Sequence, residues 1–148
     1  NGEDYFLLEC IFLVLATNPY PGVERTIARS LKISPALMTA GLRAASAIAS
    51  PEALQIVLNA RHHAEADVRI IVAEVLEPFP GGEASHALGE LTLDASYFVR
   101  EKAVESLLKR LDGIEAVRAA MLDEPEHPSH GIYQRIRRRD SAQSNKSA

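Results

Sequence analysis

Apolar residues recur three or four apart along most of the chain, the spacing of one face of a helix. Residues Tyr5–Ala16 (YFLLECIFLVLA) depart from that rule, being apolar on nearly every side with Glu9 as the one charge. This predicts a helix over 5–17 that needs cover on most of its faces. Further on, Ala53, Val57 and Ala60 share a face that Leu54 and Leu58 widen. After a loop at 63–66, Val68, Ile71, Val72, Val75 and Leu76 make a second face, which Pro78, Pro80, Gly81 and Gly82 bring to a stop. Ala84, Ala87, Leu88 and Leu91 then make a third, and Val99, Ala103, Leu107 and Leu111 a fourth, with Gly113 as its stop.

These faces repeat. Shifted by 31 residues, segment 52–82 falls on segment 83–113 with eight identities, among them Val68/Val99, Arg69/Arg100, Glu74/Glu105 and Leu76/Leu107. Ordinary composition gives roughly two by chance. A period of this length marks stacked helical repeats. Apolar agreement extends the register back through 21–51. One more step back sets Phe6 under Leu37, making 5–17 the second helix of a unit that lacks its first. Forwards, 114–122 reads as a first helix, DEPEHPSHG as a loop and 132–139 as a second helix. The expected architecture is therefore all-α, a right-handed solenoid occupying residues 1–139 as one domain. Its helix pairs fall at about 22–49, 51–78, 82–111 and 113–139, preceded by helix 5–17. The polar residues 140–148 form a disordered tail.

Composition agrees with this picture. The 148 residues suffice for one domain with a core. Twenty-two alanines and eight aromatics with no Trp favour helix over sheet. The apolar run 5–16 is too short to cross a bilayer, which takes about 20 residues. It also lacks the basic start and cleavage site of a secretory leader. The one cysteine, Cys10, can form no internal disulfide and reads as a small buried hydrophobe in a cytoplasmic protein. The chain opens at Asn1-Gly2 without Met, as a piece of a longer protein would. Self-association through helix 5–17 is expected if nothing else covers it.

The stretch from Leu93 to Gly113, LDASYFVREKAVESLLKRLDG, resembles the HEAT-like repeats of the phycobilisome-lyase type. Asp94, Val99, Arg100, Ala103, Leu107 and Gly113 stand where those repeats carry a loop Asp, a Val-Arg pair, small and apolar residues and a Gly. The preceding unit keeps Val68-Arg69 but has His63 in place of the Asp. The resemblance implies that the second helices line a concave, partner-binding face and implies no catalytic residue. A cation at the start of a helix opposes the dipole unless paired, so Arg100 calls for a carboxylate such as Asp94 or Asp67.

On the second helices the register aligns three outward rows: Thr39–Ile70–Glu101, Arg43–Glu74–Glu105 and Ser46–Glu77–Leu108. Ile70, Glu74, Glu77, Glu101, Glu105 and Leu108 are thus the expected partner-binding residues, an acidic and partly apolar groove suited to a basic protein or peptide. The expected function is a non-catalytic interaction or scaffold module.

An alternative comes from Glu24–Ala45 (ERTIARSLKISPALMTAGLRAA), which resembles a helix-turn-helix of winged-helix regulators. Ile27, Ala28 and Leu31 would face inward, Ile33 would fill the turn, and Ser34-Pro35 would open the second helix. Met38, Leu42 and Ala45 would pack inward while Ala36, Thr39, Ala40 and Arg43 faced the DNA groove. Arg25, Arg29, Thr39 and Arg43 would be the contacts. Lys32 stands where that family often has Gly. Charge opposes this use: residues 1–133 sum to −8, and only 134–148 are basic, at +4. His62-His63 with Glu65 and Asp67, and the pair His127 and His130, lack the spacing of a zinc site. No cofactor, metal or nucleophile arrangement follows from the residues.

Overall fold

The computed structural model describes residues 2–144. All regular structure among them is helical: α1 (Gly2–Thr17), α2 (Glu24–Ser30), α3 (Pro35–Ile48), α4 (Pro51–Asn59), α5 (Ala66–Val75), α6 (Gly82–Leu91), α7 (Tyr97–Lys109), α8 (Gly113–Ala119) and α9 (His130–Ser144). The expected helix pairs correspond in order to α2–α3, α4–α5, α6–α7 and α8–α9, with α1 ahead of them, although α8 and α9 scarcely touch each other. Contacts sort the helices into two layers. One runs α1, α3, α5, α7, α9 and the other α2, α4, α6, α8, each helix touching the next in its own layer.

Local chemistry sets several of the boundaries. Ser34 and Ser50 accept from the backbone N–H of Leu37 and Ala53 at 3.2 and 3.1 Å, and Pro35 and Pro51 take the first turns. This satisfies an otherwise unpaired N-terminal donor and places Pro where no donor is needed. Gly81, at φ 89°, makes the turn into α6, a conformation that costs an L side chain more than glycine.

Between the layers lies one continuous apolar core, from Phe12 and Ile27 through Leu42, Val57, Leu76 and Leu88 to Val99, Leu107 and Leu122. The repeat positions Val68/Val99 and Leu76/Leu107 are all buried. At the other end of the core, Gly41 lets three helices meet. A Cβ there would lie 2.6 Å from the Leu31 side chain and 3.6 Å from Phe12.

Several boundaries and positions differ from expectation. Leu111 is fully exposed rather than in the core, because α7 ends at Lys109 and Arg110 turns the chain into extended backbone. Helical spacing cannot be carried past that end. Arg110 takes the buried place instead. Gly113 opens α8 and lies against the last turn of α7, where a Cβ would meet the Leu107 carbonyl oxygen at 2.9 Å. α8 ends at Ala119, short of residue 122, because Met121 adopts left-handed backbone at φ 53°. The polar residues 140–144 continue α9 rather than forming a tail; residues 145–148 lie outside the described residues. Phe6 is exposed, so the shift that set it under Leu37 does not place it in the core.

Candidate functional site

The nine residues of the three expected outward rows are all half-buried. They lie along the seams of the odd-numbered layer, and their charges are met from within the chain. Arg43 of α3 holds Glu74 of α5 through two bonds, at 2.5 and 3.2 Å. Lys109 of α7 approaches Glu77 at 3.8 Å. Arg135 of α9 bonds to Glu101, while Lys102 and Arg139 reach Glu105 at 3.0 and 3.6 Å. Ile70 and Leu108 pack against the core rather than standing among free charges. Each acid that the sequence assigns to an open groove thus has a cation beside it, and two of the cations come from the basic C-terminal helix. Pairing along this face was not legible because the three rows end on the third pair, at Glu101, Glu105 and Leu108, and do not run on to the basic helix at 132–139.

The helix-turn-helix residues are dispersed. Arg25 and Arg29 are exposed on α2 without an ion pair among the described residues. Arg43 is committed to Glu74. Thr39 is half-buried and, with Ala36 and Ile70, lines a groove between α3 and α5. Ala40 is buried, not turned to a DNA groove. α3 touches α1, α2, α4 and α5, which leaves little of its circumference free.

A polar ladder along the loops is more elaborate than the sequence suggests. Asp94 pairs not with Arg100 of its own unit but with Arg69 of the preceding one, at 2.7 and 3.0 Å. Only 15% and 10% of these two side chains are accessible. The Arg69 hydrogen bonds, with one from the Ser96 backbone N–H, hold the Asp94 carboxyl below its usual range. Arg69 also donates to the carbonyls of His63 and Ala64. Asp67 is exposed and takes no part in the ladder.

Arg110 makes the most extensive set of bonds in the fold. Its side chain is 4% accessible, and the guanidinium donates to the carbonyl oxygens of Leu76, Glu77, Phe79 and Gly81 and to Ser85 and Asp112. Asp112, bonded first by the Ser85 hydroxyl and then by Arg110, is likewise held below the usual carboxylate range. The only sequence signal for this anchor is that an Arg follows the last core Leu of α7, just where the helix stops.

The histidines serve the loops. His63 and His127 accept at Nδ1 from the backbone N–H of Glu65 and Ser129. Burial, then the neighbouring His130, pushes His127 below its usual value. No cluster of three His, Cys, Asp or Glu that could hold a metal occurs among the described residues. Cys10 is a half-buried free thiol.

Three features stand open at the surface. α1 buries Phe12 and Leu15 but leaves Phe6 70% exposed, with Tyr5, Leu7, Ile11, Leu13 and Val14 also accessible. At the start of α7, Phe98 is 65% exposed and Tyr97 partly so. A groove of about 510 Å³ also runs between α6 and α8, floored by Gly89, Ala116 and Ala120. Among the described residues no helix is long and apolar enough to cross a membrane. Comparison with protein-family models, with curated proteins and with solved structures finds no match to this chain.

Proposed function

We propose that the chain is a non-catalytic protein-interaction module, a right-handed solenoid of HEAT-like helix pairs that meets its partner through α1. The stacking of pairs in two layers with a 31-residue register supports the solenoid reading. One observation carries the functional reading: six large apolar side chains stand exposed on one helix at the end of the stack. Such a patch on a soluble repeat end marks a contact surface. The seam glutamates lend little support to a basic partner, since each already has a cation within reach.

Light scattering at rising concentration tests the reading. The chain should associate, and Phe6→Glu with Val14→Glu should hold it monomeric with its helical signal unchanged. A wild type that stays monomeric at high concentration while Phe6 is protected from solvent would overturn it.

The regulator reading has a separate expected outcome. A mixed-sequence duplex at low salt should give no anisotropy change. If Arg25, Arg29, Lys32 and Arg43 did contact phosphates, log–log salt dependence would reach a slope of at most about −4. Arg43→Ala would then weaken binding.

A further inference from the structure

The loop ladder is complete at Arg69 and incomplete at Arg100. Arg69 spends Nη1 on two loop carbonyls and its Nε and Nη2 on Asp94. Arg100 lies 31 residues on and repeats the first half, with Nη1 donating to the carbonyls of Asp94 and Ala95 at 2.8 and 3.1 Å. The second half is missing: its Nε is buried and without a partner. The register puts the counterpart of Asp94 at Pro125, which brings no acid. Glu124 and Glu126 on either side are exposed and neither is bonded to Arg100. A charged donor buried without a bond is rare and calls for an acceptor.

The surroundings have the composition of a contact surface. Arg100 and Arg135 stand 5.9 and 5.8 Å from the centre of the Tyr97 ring. Phe98 meets that ring edge-on at 5.7 Å and is mostly exposed. Arg and aromatic side chains dominate the energetics of protein contacts. Glu101 answers Arg135, while the Asp94 carboxylate acts on Arg100 through its charge only and accepts no bond from it.

We propose that Arg100, Tyr97 and Phe98 form a docking slot for an acidic partner segment. Its Asp or Glu carboxylate accepts from Nη2 of Arg100, as Asp94 accepts from Nη2 of Arg69, and its flanking apolar side chains cover Phe98. The proposal rests on the reading of the chain as a protein-interaction module, at a surface other than α1.

The test uses the full chain and the capped tripeptide acetyl-Leu-Asp-Leu-amide, followed by the arginine Nε–Hε resonances in ¹⁵N NMR. The Arg100 resonance should shift saturably, with a dissociation constant of about a millimolar. The Asn-containing tripeptide and inorganic phosphate should each bind at least about tenfold more weakly, a factor worth ~1.4 kcal/mol. In Arg100→Lys and in Phe98→Ala, read on the backbone amides of α7, the Asp probe should weaken by a similar factor. No saturable shift, or an equal response to the Asn probe or to phosphate, overturns the slot. So does an Arg100 resonance that moves in Glu124→Gln or Glu126→Gln, which would show the loop filling the place itself. Absence of probe binding with α1-dependent association intact removes the slot alone; absence of both removes the interaction-module reading as well.

Discussion

Asp94 and Arg69 tie two helix pairs together through a largely buried contact, so the charge on one carboxyl governs a joint. Its native pKa lies below its unfolded value, near 3.9. The resulting stability is present above pH ~4 and is lost as pH falls through the depressed native value. Asp94→Asn should therefore separate from wild type in urea midpoint at pH 7, by up to about 3 kcal/mol for a pair broken on one side. The gap should close at strongly acid pH, and a gap independent of pH would exclude the ion pair as its source. Arg110→Met should be more severe, about 3–5 kcal/mol in urea unfolding, because it strands four carbonyls and Asp112. Neither contact was legible in full. Val68-Arg69 and Val99-Arg100 show where a ladder stands, but not that Arg69 reaches forward to the next loop while Arg100 does not. An Arg in a Lys-Arg pair at a helix end reads as solvated, although Arg110 is among the most buried polar residues.

Along the elements, spacing found the helices and most of their buried faces. In α4, α5, α6 and α7 the expected inward positions are buried or half-buried, and they fail only where spacing was extended beyond a helix end, at Leu111. This distinction is measurable. Leu107→Ala should cost about 2–5 kcal/mol in thermal or urea unfolding, while Leu111→Ala should change almost nothing. Equal effects would mean that α7 runs on past Lys109. The last pair was read less well. Helical propensity and apolar spacing carry no sign of the left-handed Met121 that shortens α8, and polarity alone does not show that α9 continues through Ser144. α1 was legible as an element but not in its degree of cover: Phe12, Leu15 and Leu8 pack into the core, while Tyr5, Phe6, Leu7, Ile11, Leu13 and Val14 stay exposed among the described residues.

At the scale of the whole molecule, charge is distributed so that each layer seam neutralises itself. The acidic body and the basic C-terminal segment are joined by Glu101–Arg135 and Glu105–Arg139. Exposed pairs of this kind contribute little to stability, about 0–1 kcal/mol each. They offset charge locally along this seam, while the chain as a whole keeps a net charge of −4. On the proposed reading, recognition falls to the exposed apolar side chains of α1 and to the cluster of Arg100, Tyr97 and Phe98. The reach of Arg110 has a consequence for synthesis. It closes carbonyls as far as 34 residues back along the chain. At the usual ribosomal pace of about 5–20 residues per second, the turn after α5 waits roughly 2–7 s for the side chain that completes it. The second pair is therefore born unfinished, and its final closure belongs to the moment when the third pair leaves the ribosome.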